Sequence, residues 1–288
     1  MKSGSQESLK VTLLGTGTPA PVMDRFGPST LVEAGGEKFL IDAGRGAMQR
    51  LFQLNIRFVE NIFLTHLHSD HVVGLPDLWL TGWVLGRAVP MRVWGPIGTN
   101  KMVSHLEKAF EFDIGIRTHY PKEGATVLAD DFNEGVVYDK KGVKITVFEV
   151  DHGWVKPAFG CRIDCAGRSV VLSGDTSSSE NLIRYAQGAD VLILNLVVPE
   201  AFRAHSTFHS SAQIEKIIPL HTTPEQSAEI FARVKPKLAV YSHISPPTAT
   251  AKDIFPPTRK TYSGPLEVGE DLMTIEVGEE VEVRRFRT

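Results

Sequence analysis

The chain has 288 residues, 42% hydrophobic and 23% charged, with 25 Gly and 17 Pro, an ordinary globular composition with ample material for a buried core. Its formal net charge is −3 and it has no block of consecutive Lys or Arg, so it lacks the overall basic face that nucleic-acid binding by counterion release requires. The start, MKSGSQESLK, has no apolar signal segment, and apolar runs such as Val191–Val198, interrupted by Asn195, are too short for a bilayer. A soluble protein without a membrane partner is expected, cytoplasmic as the chain stands, a removed secretory signal left aside.

In chain order, residues 1–10 read as a flexible polar extension ahead of one domain that takes up the rest of 1–288. β-Branched runs between turn signals predict strands at 10–15, 29–35, 37–44 and 61–66. More follow at 91–96, 143–152, 159–167, 168–175, 189–195 and 237–243. Helical periodicity covers Ala47–Leu54, Thr99–Phe110, Glu180–Gln187 and Pro224–Val234, the last with Thr222 or Thr223 as N-cap and Pro224 in its first turn. Leu272–Phe286 alternates apolar and charged residues, as an exposed hairpin would. Strand clusters with helices in each half, and no linker or short repeat, predict an α/β fold of αββα type.

Cys161 and Cys165 lie four apart in a predicted strand, roughly 13 Å from each other on one face. A disulfide needs Cα atoms within about 7 Å, so free packing thiols are expected rather than a redox pair. GTGTPA has the outline of a dinucleotide fingerprint, but Pro19 and Pro21 follow and no helical pattern opens there, which excludes it. Trp79 and Trp83, at helical spacing, read as core, while Trp154 is a candidate lining of a substrate pocket. His205 and His209 read as solvent-facing rather than as flanks of a site.

The chemistry concentrates in Thr65-His66-Leu67-His68-Ser69-Asp70-His71, between an apolar strand and an apolar helical stretch. His66 and His68, two apart at a strand end, can turn their rings to one side. Asp70 and His71 fall where the chain turns into the next element, placed to face a second ion. Nitrogen and oxygen ligands at this density suit a metal centre, and a His-rich polar turn is the plainer alternative. Taken singly, His152 and His243 read as structural histidines and Asp175 as part of an ordinary turn.

HLHSDH resembles the HxHxDH signature of the metallo-β-lactamase superfamily, and further matches follow in order. They are Asp42 in FLIDAG, His152 in VFEVDHGW, Asp175 in VVLSGDTS and His243 in LAVYSHIS. The resemblance implies an αββα sandwich of the metallo-β-lactamase fold and a metal-dependent hydrolase. It implies two divalent ions, one held by His66, His68 and His152, the other by Asp70, His71 and His243, with Asp175 bridging and Asp42 orienting ligands from behind. Zinc suits this set best, with manganese or iron as alternatives. A hydroxide shared by the ions would be the nucleophile, with Asp70 counted among the catalytic residues.

The opening VTLLGTGTPAP and the block His221-Thr222-Thr223 resemble the ribonuclease Z and arylsulfatase-like branch. That implies hydrolysis of phosphodiester, sulfate or related ester bonds, with His221 protonating or orienting the substrate; helix capping is its plainer role. A β-lactamase or lactonase activity at the same site is the alternative, and an iron-dependent oxidoreductase is a more distant one. Two departures bear on the substrate. Only 23 residues separate His152 from Asp175, which leaves no room for the long arm with which ribonuclease Z grips transfer RNA, and Asn195 stands where an acidic residue would support His221. With the negative net charge, these make transfer-RNA processing doubtful and a small-molecule or short ester substrate the expectation. A homodimer is compatible with the exposed positions of the tail.

Overall fold

The computed structural model describes residues 9–206 and 209–286. Residues 1–8 of the expected extension lie outside the described residues, and its last two, Leu9 and Lys10, already belong to a strand. The amino-terminal half supplies β1 (Leu9–Gly15), β2 (Ser29–Ala34), β3 (Glu37–Ile41), β4 (Asn61–Phe63), β5 (Met91–Gly95) and β6 (Val127–Asp131). Among them run α1 (Ala47–Gln53), α2 (Ser69–Val72), α3 (Leu75–Val84), α4 (Thr99–Ala109), α5 (Glu111–Ile116) and α6 (Lys122–Ala125). The second half supplies β7 (Gly135–Lys140), β8 (Val143–Glu149), β9 (Phe159–Cys165), β10 (Arg168–Leu172), β11 (Val191–Val197), β12 (Leu238–Ser245) and β13 (Leu266–Val268). Its helices are α7 (Glu180–Ala186), α8 (Pro199–His205), α9 (Ser211–Ile217), α10 (Pro224–Val234) and α11 (Ala251–Arg259), with a 3₁₀ turn at Ile218–Leu220. A closing hairpin, β14 (Thr274–Val277) and β15 (Val281–Arg284), returns to the first half.

Two mixed sheets result, ordered β15-β14-β1-β2-β3-β4-β5-β6 and β13-β12-β11-β10-β9-β8-β7. Strand alternation divides the apolar residues between layers. Leu13, Phe39 and Ile41 of the first sheet meet Ile145, Cys161, Ile163 and Val240 of the second in a common core. Their neighbours Leu14 and Leu40 face the other way, against Met48, Leu51, Leu75 and Trp79 of the outer helices. On the second sheet Val171, Leu192 and Leu194 do the same against Leu182, Phe231 and Ile254. The layers are therefore helix, sheet, sheet, helix, as the sequence predicts.

Cys161 and Cys165 are free and buried on one face of β9. Trp79 and Trp83 are core residues of α3. Gly15 and Gly17 serve close packing rather than phosphate binding: a Cβ on Gly15 would stand 1.9 Å from the Gly27 carbonyl oxygen. The tail differs from its expected exposure. It is a hairpin, but β14 pairs with β1 and buries Ile275 and Val277 in the intersheet core, leaving β15 as the sheet edge. Among the described residues, no helix is long and apolar enough to cross a membrane.

Candidate metal centre

Strands β3 to β6 run parallel to one another, as do β10 to β13. Loops at the carboxyl ends of parallel strands are where α/β sites gather, and the candidate residues emerge there. Asp42 follows β3, and Thr65, His66 and His68 follow β4. Asp70 and His71 lie on α2. His152 follows β8 and Asp175 follows β10 through Gly174. His221 leaves the 3₁₀ turn just before Thr223, whose side chain caps α10.

His243 reaches the site through a bulge. In the β11–β12 pairing Asn195 is opposite Ser242 and Leu196 is opposite Ile244, so His243 is the extra residue, with φ 45°. A bulge re-aims a side chain that strand alternation would send elsewhere. Asp42 also has a left-handed backbone, φ 62°, a cost of order 1–3 kcal/mol that surrounding structure must hold in place.

These residues converge on one point. Asp175 Oδ2 lies 4.0 Å from His66 Nε2, 3.9 Å from His152 Nε2, 3.4 Å from His71 Nε2, 3.4 Å from His221 Nε2 and 3.2 Å from His243 Nε2. Asp70 Oδ2 lies 3.7 Å from His71 Nε2 and 3.4 Å from His243 Nε2. His66 Nε2 and His68 Nδ1 face each other at 3.0 Å. His66, Asp70, His71, His152, Asp175, His221 and His243 are all buried, and His68 alone opens to solvent. Among the described residues, three groups have ligand atoms within 4.8 Å of one another: His66, His68, His152 and Asp175; Asp70, His71 and His243; and Asp175, His221 and His243.

Hydrogen bonds behind the rings fix their tautomers. His71 Nδ1 donates to Asp42 Oδ2 at 2.8 Å. The Asp42 carboxylate also accepts the Thr65 amide at 2.8 Å and the Thr65 hydroxyl at 2.9 Å. Having spent its proton on Asp42, the Thr65 oxygen can only accept from His66 Nδ1, 3.0 Å away. His152 Nδ1 donates to the Leu220 carbonyl at 2.9 Å, and His221 Nδ1 to the Ile217 carbonyl at 3.2 Å. Each bond leaves an Nε2 lone pair for the cluster, the orientation that metal-binding histidines need. The sequence points to Asp42 in this role but not to Thr65, nor to the carbonyls of Leu220 and Ile217.

The chain alone satisfies this cluster poorly. His71 Nε2, His152 Nε2 and His243 Nδ1 are buried without a hydrogen-bond partner. Burial and the neighbouring His71 charge hold His66 well below the ordinary histidine range, and burial pushes His152 down to about 4. Burial acts the same way on His71 and His243, but Asp175, aided by Asp42 and Asp70 at His71 and by Asp70 at His243, raises both. Burial would raise Asp175 in turn, but His243 and His71 hold it well below the carboxylate range. Imidazoles and carboxylates meeting at one buried point are the donor set of divalent cations such as zinc, manganese or iron, so the residues fit a metal.

Other candidates fall outside this cluster. Asn195 does not touch His221; its Oδ1 accepts from the Thr176 amide at 3.3 Å and the Ser173 hydroxyl at 3.4 Å. His205 and His209 are exposed, as expected. Trp154, two residues after His152, is 68% exposed.

Comparison with known proteins gives a consistent result. Residues 37–244 match the model of the β-lactamase superfamily domain. The chain is 36% identical over 279 residues to ribonuclease Z of Mycolicibacterium gilvum, covering 93% of this chain and 96% of the relative. Against ribonuclease Z of Mycobacterium marinum it is also 36% identical, covering 99% of that protein. Among solved structures it resembles the metallo-β-lactamase fold protein YhfI from Bacillus subtilis (TM-score 0.71, 16% identity, 94% of this chain and 100% of that one). It also resembles the short form of human tRNase Z (TM-score 0.67, 22% identity, 93% and 99%). These two likenesses concern the fold.

The ribonuclease Z relatives overturn one expectation from the sequence, that transfer-RNA processing is doubtful and a small-molecule or short ester substrate is preferred. Matching 96% and 99% of their length, the chain is about as long as they are. The short His152–Asp175 interval therefore does not set it apart from ribonuclease Z. Nor does a net charge of −3, which describes the whole surface and not the part that meets a substrate.

Proposed function

This chain belongs to the β-lactamase superfamily, as a metal-dependent hydrolase, and we propose that it is a ribonuclease of the ribonuclease Z kind, cleaving a phosphodiester bond in transfer-RNA precursors. The observation that carries the reading is the 36% identity to ribonuclease Z along 93% of the chain. The buried cluster around Asp175 supplies the matching chemistry.

Two divalent cations, zinc by preference, fit the donors. His66, His68 and His152 would hold one and Asp70, His71 and His243 the other, with Asp175 within reach of both sets. Bound there, they would supply Lewis acidity toward the phosphoryl group and activate water at neutral pH. The protein's own part is orientation and proton handling. Asp42 and Thr65 lock His71 and His66 from behind. Gly174 lets the chain turn sharply enough to present Asp175: its φ is 60°, and a Cβ there would stand 2.3 Å from the Phe159 carbonyl oxygen. His221, with Nδ1 held on the Ile217 carbonyl, directs Nε2 to the Asp175 side. From there it would pass a proton to the leaving oxygen or orient the substrate.

The test combines metal analysis of the purified protein with cleavage of a transfer-RNA precursor transcript. About two zinc per chain and cleavage by the wild type are expected, with His68→Ala and Asp175→Ala folded but inactive. Undiminished turnover in either variant overturns the site, and an uncleaved transcript overturns the substrate.

A further inference from the structure

We infer that Trp154 and Lys156 form a subsite beside the metal centre, where an unpaired nucleobase next to the scissile phosphodiester stacks on the indole and a flanking phosphate meets the ammonium. The inference rests on the RNA-cleaving reading above and names residues that would hold that substrate.

The turn that carries Trp154 is built into the centre's rim. The amide of Val155 donates to the His152 carbonyl at 3.1 Å, leaving Gly153 and Trp154 as the two residues at the tip. Gly153 has φ 61°, and a Cβ there would strike Leu220 at 2.5 Å, just beside His221. Its amide donates to Asp151 Oδ1 at 3.1 Å, and the Asp151 carbonyl accepts the Ser177 amide at 2.7 Å, two residues past Asp175. The turn is thus tied to the segments bearing His152, Asp175 and His221, so Trp154 has a fixed base at the site's edge. Trp154 lies two residues after His152, and His68, the exposed member of the cluster, has its ring centroid 5.2 Å from that of His152.

The indole of Trp154 is 68% exposed on this turn, which leaves its surface free to stack against a ligand. The other tryptophans are buried, as Trp79 and Trp83 are, or half-buried, as Trp94 is. Lys156 is exposed and makes no ion pair among the described residues. Every base has a π-face, and stacking on an aromatic side chain tolerates any sequence. A cation two residues along suits the phosphate that accompanies such a base.

The experiment uses the metal-loaded full chain, a short oligoadenylate and a transfer-RNA precursor transcript. Oligoadenylate is expected to quench wild-type tryptophan emission and to leave that of Trp154→Phe unchanged. Trp154→Ala is expected to raise KM for the transcript roughly 5- to 100-fold with kcat within about two-fold, the range of base–aromatic stacking, while Trp154→Phe restores most of the loss. Transcript cleavage by the wild type, with KM unchanged in Trp154→Ala or quenching retained in Trp154→Phe, overturns the subsite and leaves the ribonuclease reading intact. Failure of the wild type to cleave the transcript overturns both.

Discussion

Asp42→Asn isolates the orienting role of the carboxylate behind the metal centre, because it preserves shape and changes only the pattern of donors. Asp42 accepts through both oxygens: Oδ1 from the Thr65 amide at 2.8 Å, and Oδ2 from His71 Nδ1 at 2.8 Å and the Thr65 hydroxyl at 2.9 Å. An asparagine has one acceptor oxygen, so its amide nitrogen must face one of these partners. Turned toward Thr65, it sets two N–H groups against each other in a buried place. Turned toward His71, it forces the proton of that ring from Nδ1 to Nε2, the atom 3.4 Å from Asp175. Either way a ligand is misplaced or a buried donor is stranded, at about 1–3 kcal/mol. Loss of such an outer partner lowers metal affinity roughly 10- to 100-fold, equivalent to about 1.4–2.7 kcal/mol. Zinc titration against a chelator of known affinity measures this directly, and urea unfolding of the metal-free protein measures the stability term. Wild-type zinc affinity, within about two-fold, would refute the argument that Asp42 fixes the His71 tautomer.

Three further outcomes follow from neighbouring features. Thr65→Val leaves the buried His66 Nδ1 proton without its acceptor, so the metal-free protein should lose about 1–3 kcal/mol in urea unfolding; a loss below about 0.5 kcal/mol would show that the hydroxyl does not link Asp42 to His66. Gly174→Ala places a Cβ 2.3 Å from the Phe159 carbonyl at φ 60°, so stability should fall by more than about 1 kcal/mol and zinc occupancy with it, both read on one preparation. Glu134 accepts from the Glu149 amide and from Asn181 and Tyr185, which outweigh its slight burial and hold its carboxyl below the usual range. A depressed folded pKa stabilises above the unfolded value and is lost as pH falls through the folded one. Glu134→Ala should therefore cost about 0.5–1 kcal/mol at pH 7, the small end expected of exposed contacts, and the difference should shrink below about pH 4.5; a pH-independent difference would assign it to packing.

How much of this was legible in the sequence follows from which groups carry the information. HLHSDH is conspicuous in residue type and spacing, whereas His152, Asp175 and His243 read singly as structural residues and were picked out by the resemblance to a family. Pro224–Val234 was bounded by its own capping chemistry, and the helix begins and ends there. The bulge at His243 was not legible, because it is a property of two strands in register and not of one. The carbonyls of Leu220 and Ile217 that fix His152 and His221 carry no residue identity at all. Strands β6 and β7 were missed since VLADD ends in acids and GVVYDK mixes charge into its alternation. Helix α11 holds Pro256 and Pro257 in its interior, where a sequence reading places a break. Its exposed first residues, Ala251, Lys252 and Asp253, can leave the freed carbonyls to water.

The placement of the donors explains why a cluster so poorly satisfied by the chain alone can persist. His66, His68, Asp70 and His71 come from the loop after β4 in one sheet, whereas His152, Asp175, His221 and His243 come from the ends of the other. Protons are a partial substitute for cations here. They are favoured at His71 and His243, where the carboxylates outweigh burial, and disfavoured at His66 and His152, where burial outweighs them. One nitrogen each of His71, His152 and His243 is buried without a hydrogen-bond partner. Cation binding needs the same deprotonated ligands and ties both sheets at one point, so its free energy also becomes stability of the sandwich.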